Sequence, residues 1–163
     1  MQFLLYILVY PILWLISILP FPLFYLFSDV ICFIVYRLIG YRKKTVRYNL
    51  ELTLPHLSET ERRRIERRFY SHMCDLFLEM IKTLTISKKQ IQQRFKFTNF
   101  DLFHEYEQKN KSIILLYAHY ASYEWSIALG THSHIKGFGI YKKIQNRYFD
   151  NLVKKFALDL MLY

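Results

Sequence analysis

At 163 residues the chain has room for one modest domain; it is 53% hydrophobic and 18% aromatic, with a formal net charge of +10. Cys32 and Cys74, far apart in sequence, supply neither a disulfide framework nor a metal-ligand spacing. The basic balance comes with interleaved acids and no reader motif, which argues against a nucleic-acid binder.

The charge is unevenly placed. Residues 1–28 contain no charged side chain, and Asp29 and Arg37 cancel before Tyr41, so the whole +10 belongs to the residues that follow. This is the pattern of a membrane-facing end attached to a basic body. Met1 to Leu19 is a first apolar helix, at ~1.5 Å per residue long enough to cross most of a ~30 Å hydrocarbon layer. Pro20 and Pro22 break it, and Leu23 to Ile39 makes a second. The stretch lacks the basic start and small-residue cleavage site of a secretory signal. Arg37, Arg42, Lys43, Lys44 and Arg47 cluster on its far flank and predict that the body stays in the cytoplasm. Pro11 and the Pro20/Pro22 pair fit a kinked span or an interfacial hairpin equally well. Residues 1–40 are therefore expected to be anchoring helices, and residues 41–163 the body.

Thr45 to Leu52 reads as a short helix that stops before Pro55. Ser58, with Glu61 three residues on, is a capping box that opens a long helix to about Leu84. Ile65, Phe69, Met73, Leu76, Met80 and Leu84 form its expected core stripe. Arg62, Arg63, Arg64, Arg67 and Arg68 fall largely off that stripe among Glu59, Glu61 and Glu66, as on a solvated face. Ser87 and Gln90 look like a second capping box. Strands are expected at 95–98, 113–117, 138–141 and 158–163, with helices beginning at Asn99, Ser122 and Asn146 between them. That alternation predicts an α/β layer with a largely parallel sheet, whose ligands sit beyond the carboxyl ends of the strands.

One such strand end carries the most informative residues of the chain. The apolar run from Ile113 to Tyr117 stops at His119, and Glu124 follows five positions later. On one continuous helix the two would lie roughly 140° apart and could hardly touch. With His119 on a loop and Glu124 in the first turn of a helix, the carboxylate can reach back to the imidazole. The pair is then a general base whose ring is held in one tautomer by an acid. The other reading is a core histidine beside a glutamate that favours the helix dipole.

H-x-x-x-x-E resembles the signature of the lipid A late acyltransferases, the lauroyl/myristoyl transferases. Family members commonly read G-H-x-G-N-W-E; here the stretch is Ala118-His119-Tyr120-Ala121-Ser122-Tyr123-Glu124, which keeps both chemical residues but not the glycines or the asparagine. A second block, Tyr141 and Lys142 followed by Asn146 and Asp150, is similar to the family's strand-ending tyrosine and cation followed by an asparagine and an aspartate in the next helix. A third, Arg47-Tyr48-Asn49-Leu50 with Leu54-Pro55 and the Ser58 box, resembles the family's entry segment and reads as structural.

The resemblance implies an incomplete glycerolipid acyltransferase-like α/β fold, 41–163 being the N-terminal part of a domain that continues further in family members. It implies transfer of a fatty acyl group from an acyl carrier protein thioester to a hydroxyl of a lipid A precursor on the cytoplasmic face of the bacterial inner membrane. His119 and Glu124 would be catalytic, and Tyr141, Lys142 and Asn146 would bind substrate, with no metal or other cofactor required. A glycerophospholipid acyltransferase would use the same base but prefers Asp at the acid position. A non-catalytic membrane-bound remnant or scaffold of the family is the other alternative.

Overall fold

The computed structural model describes residues 2–161 other than 117, 119, 134, 136, 137, 139 and 141, so the expected base His119 and the expected binding residue Tyr141 lie outside the described residues. Its elements are α1 (Gln2–Ile18), α2 (Phe21–Phe33) running into a π-helical turn (Ile34–Ile39), α3 (Lys43–Thr53), α4 (Glu59–Lys82), α5 (Lys88–Arg94), α6 (Phe100–Gln108), a 3₁₀ helix (Tyr123–Thr131) and α7 (Arg147–Met161).

The expected parallel sheet is not there: the described residues contain no strand. An extended segment becomes a strand only when a neighbour takes up its N–H and C=O groups. Among the described residues, 96–98 and 112–116 have no such neighbour. Ile114, Leu116 and Ile140, expected to fill the middle of a sheet, are 85%, 93% and 106% exposed. At 158–161 the chain is helical instead. No glycine or proline interrupts it after Asn146, and Phe149, Val153, Phe156 and Leu160 keep a helical spacing. Short apolar runs read alike as buried strand or as helix, and here the partners that would have decided for strand are missing from the described residues.

The chain forms two compact units, Leu19–Glu79 and Met1–Ile18 with Met80–Tyr163. In the first, the prolines start a helix as well as ending one. Pro20 stands at the N-cap of α2 and its carbonyl accepts from the Phe24 N–H at 2.9 Å. The π-helical turn ends at Gly40, whose φ of 66° is left-handed and costs glycine nothing. Between α2 and α4, Tyr25 donates to Glu79 at 2.7 Å, Ser28 donates to Asp75 at 2.6 Å, and the Tyr36 and Tyr70 rings meet at 4.9 Å. The Tyr70 hydroxyl donates to the Tyr41 carbonyl. Ser58 and Glu61 close their box in both directions, at 2.8 and 3.3 Å.

The buried stripe of α4 is not the expected one. Glu66, Tyr70, Cys74, Leu78 and Lys82, four apart throughout, are the buried residues, whereas Phe69 and Met80 are 45% and 41% exposed. Each end of the stripe is ionic, and each has its partner. Arg47 Nε donates to both Glu66 oxygens at 3.0 and 3.2 Å, and this bond raises the guanidinium pKa further. Burial pushes the Cys74 thiol up to about 11.

In the second unit, α5 and α7 pack against the 3₁₀ helix, and α1 against α7. Among the described residues, Ile86, Ile91, Trp125 and Ala128 are buried apolar residues of this unit. Ser87 and Gln90 form the second capping box as the spacing predicts. Near the end of α1 the Ser17 carbonyl accepts from Lys82 Nζ and Thr85 Oγ1, both at 2.6 Å. Burial lowers the Lys82 pKa, so that carbonyl stands where the ammonium needs it.

Candidate active site

Everything described of the expected site belongs to the unit that contains the 3₁₀ helix. The chain reaches it through three tight backbone contacts: Tyr120 N–H to the Ala118 carbonyl at 2.8 Å, Tyr123 N–H to Ala121 at 2.8 Å, and Trp125 N–H to Ser122 at 2.9 Å. Ala121 takes a φ of 49°, in the left-handed region that costs a residue with a Cβ ~1–2 kcal/mol. The sharp bend therefore exists although alanine stands where the resembled motif has glycine. Trp125, 4% exposed, and Ala128 fix the following helix in the core. Glu124 sits in its first turn, half-buried.

The end of that helix is tied as well. Ser133, just beyond it and buried, donates to Glu107 of α6 at 3.0 Å, and Glu107 also meets His104 Nδ1 at 2.9 Å. The His132 ring packs edge-on against Phe97 and Phe100. These contacts hold the element that carries Glu124 from behind, and sequence patterning gave no sign of them.

The second block lies before α7. Lys142 is exposed, outside any helix. Asn146 does two jobs: its Oδ1 accepts from the N–H groups of Tyr148 and Phe149 at 3.0 and 3.4 Å, capping α7, and its Nδ2 donates to the Gln2 carbonyl at 3.2 Å. Its side chain is thereby engaged in structure. Asp150, 2% exposed, is the residue the pattern undervalued. Its carboxylate accepts from the Ile144 N–H at 3.0 Å and pairs with Lys154 at 3.1 Å, bracing the segment that carries Lys142.

A separate concavity of about 240 Å³ opens in the other unit beside Leu50, where Arg47, Arg62 and Arg63 face Glu51, Glu59 and Glu66. Three cations against three acids leave it no net field to attract an anion. Among the described residues no three of His, Cys, Asp and Glu converge as metal ligands.

The tie from Ser133 to Glu107 supports the helix that carries Glu124, and Asp150 supports the segment that carries Lys142. The chain belongs to the bacterial lipid A biosynthesis acyltransferases, whose family model matches residues 1–156. Comparison with curated proteins and with solved structures gave no match.

Proposed function

We propose that this protein transfers a fatty acyl group from an acyl carrier protein thioester to a hydroxyl of a lipid A precursor, at the cytoplasmic face of the bacterial inner membrane. The family match over residues 1–156, with His119 and Glu124 at the motif spacing, carries the reading. His119 takes the proton of the acceptor hydroxyl as its oxygen attacks the thioester carbonyl. The C–S bond then breaks, the ester forms, and the carrier's sulfur leaves and recovers a proton. A positioned base of this kind is worth ~10²–10⁴-fold. Glu124 holds the ring and stabilises the imidazolium, the part an acid plays beside a catalytic histidine.

Tyr141, Lys142 and Asn146 serve the substrate. Lys142, exposed and carried on the segment that Asp150 braces, meets a phosphate or the polarised carbonyl. Asn146 contributes by fixing that segment's end. Residues 1–40 anchor the protein and 41–163 carry the acyltransferase residues. The basic charge of the chain suits both an acidic carrier protein and a phosphorylated glycolipid.

Transfer of a labelled acyl group from carrier-protein thioester to a lipid A precursor, in membranes containing the chain, tests this. His119→Ala is expected to abolish transfer at unchanged membrane attachment, and Glu124→Gln to reduce it less. Turnover by His119→Ala at the parent rate overturns the mechanism.

A further inference from the structure

We infer that α1 lies flat along one leaflet of an anionic bilayer, with both of its ends on the same side, instead of crossing it. The inference rests on the membrane reading above and goes beyond it, because the sequence fits a span and an interfacial helix equally.

The first observation is where the helix is tied. Near its N-terminus the Gln2 carbonyl accepts from Asn146 at 3.2 Å and the Gln2 amide donates to the Gln145 carbonyl at 3.4 Å. One turn on, Tyr6 stacks on Tyr148 at 5.5 Å and meets Phe149 edge-on at 5.4 Å. Near its C-terminus the Ser17 carbonyl takes Lys82 and Thr85. Every one of these partners belongs to the same compact unit as α1. Exposed lysines follow closely at either end, Lys142 and Lys143 beside Gln145, and Lys88 and Lys89 after Thr85. A spanning α1 would put one of those lysine pairs, with the chain around it, on the far side of the membrane. A charge at the bilayer centre is costly, and no described segment of this unit other than α1 is free of charge over that length.

The second observation is which way the helix faces. Tyr6, Tyr10, Leu13 and Ser17 form the inward arc, half-buried to fully buried. Leu4, Leu8, Ile12 and Leu15, roughly 180° around the axis, are 67%, 70%, 52% and 57% exposed. The outward arc is as apolar as the inward one, so water is the wrong medium for it, and hydrocarbon along its whole length is the right one. At 17 residues α1 is ~26 Å long, short of a ~30 Å hydrocarbon layer. The cations at its two ends then meet anionic headgroups at one depth.

Tryptophan depth measurements decide the matter. In a Trp14→Phe chain, which keeps Trp125 as the baseline, single tryptophans are placed as Leu4→Trp, Leu8→Trp and Leu15→Trp. Fluorescence is read in anionic phospholipid vesicles brominated either near the headgroup or near the chain ends. A flat α1 gives stronger quenching by the shallow bromines at all three positions, with one shallow-to-deep ratio. A spanning α1 gives deep quenching at Leu8→Trp and shallow quenching at Leu4→Trp and Leu15→Trp; that gradient overturns the inference while keeping membrane attachment. Loss of quenching at every position overturns the membrane reading as well.

Discussion

Ala121 adopts a left-handed backbone where the resembled motif has glycine. Its left-handed backbone turns the chain between Ala118 and Glu124, and the neighbouring hydrogen bonds enforce it against the preference of an alanine. Ala121→Gly removes the Cβ penalty of ~1–2 kcal/mol but gives the unfolded chain more freedom to lose, so the expected net gain is ~0.5–1 kcal/mol. For a chain of this size that is a rise of about 2 °C in Tm, measured by circular dichroism in detergent. Ala121→Val, bulkier and β-branched, is expected to lower it. A Tm that falls in Ala121→Gly would show that the turn is not strained. Asp150 makes the complementary point. Its burial, its bond to Ile144 and its pairing with Lys154 support the Lys142 segment from within. A charged side chain that is 2% exposed persists only with partners of that kind.

The elements differ in how much of them could be read in advance. The two capping boxes, the break at Pro20, the short helix after the basic turn and the helix starting near Asn146 follow from local chemistry, and local chemistry is what a sequence displays. The strands were misjudged because a strand is made by its neighbour. Apolar runs such as Ile113–Leu116 carry no information about whether one is present. The core stripe of α4 was misplaced by about one residue around the helix for a related reason. Hydrophobicity rejects Glu66 and Lys82 as core residues, and only their partners, Arg47 and the Ser17 carbonyl, make them so. At the site, the spacing of His119 and Glu124 was legible, whereas the tie from Ser133 to Glu107 joins residues 26 apart and was not. The ionic end of the α4 stripe carries a prediction. Arg47→Leu leaves a fully buried carboxylate without its cation and is expected to cost ~2–4 kcal/mol, somewhat reduced because Arg47 itself is partly exposed. Adding Glu66→Met removes the orphaned charge and is expected to restore most of the loss. Thermal or urea unfolding of the single and double variants checks this; equal losses in both would mean that the pair is not coupled.

On the scale of the whole molecule, the chain closes one of its units with its own first helix. Residues before Ile18 join those after Met80, with Leu19–Glu79 forming a unit between them. Gln2 and Asn146 are 144 residues apart in sequence, and Ser17 and Lys82 are 65 apart, so these contacts tie distant parts of one unit together. Such closures cost entropy that only well-packed partners offset. An anchor that were merely a tail could be cut away without harm to the body. Here, removing Met1–Ile18 strips the aromatic cover from Tyr148 and Phe149 and takes one carbonyl acceptor each from Asn146 and the buried Lys82. Each hydrogen bond lost contributes ~0.5–1.5 kcal/mol, more where a charged group donates, and total stabilities of single domains are only ~5–15 kcal/mol. A chain lacking Met1–Ile18 is therefore expected to lose the cooperative unfolding transition of residues from Met80 onward, not simply to leave the membrane. Limited proteolysis in detergent, mapped by mass spectrometry, reads this directly. New cleavages concentrated in α5, α6 and the segment before α7 are the expected result, with Leu19–Glu79 cut as in the parent. A shortened chain that keeps the parent's cleavage pattern after Met80 and melts sharply would make α1 a dispensable appendage.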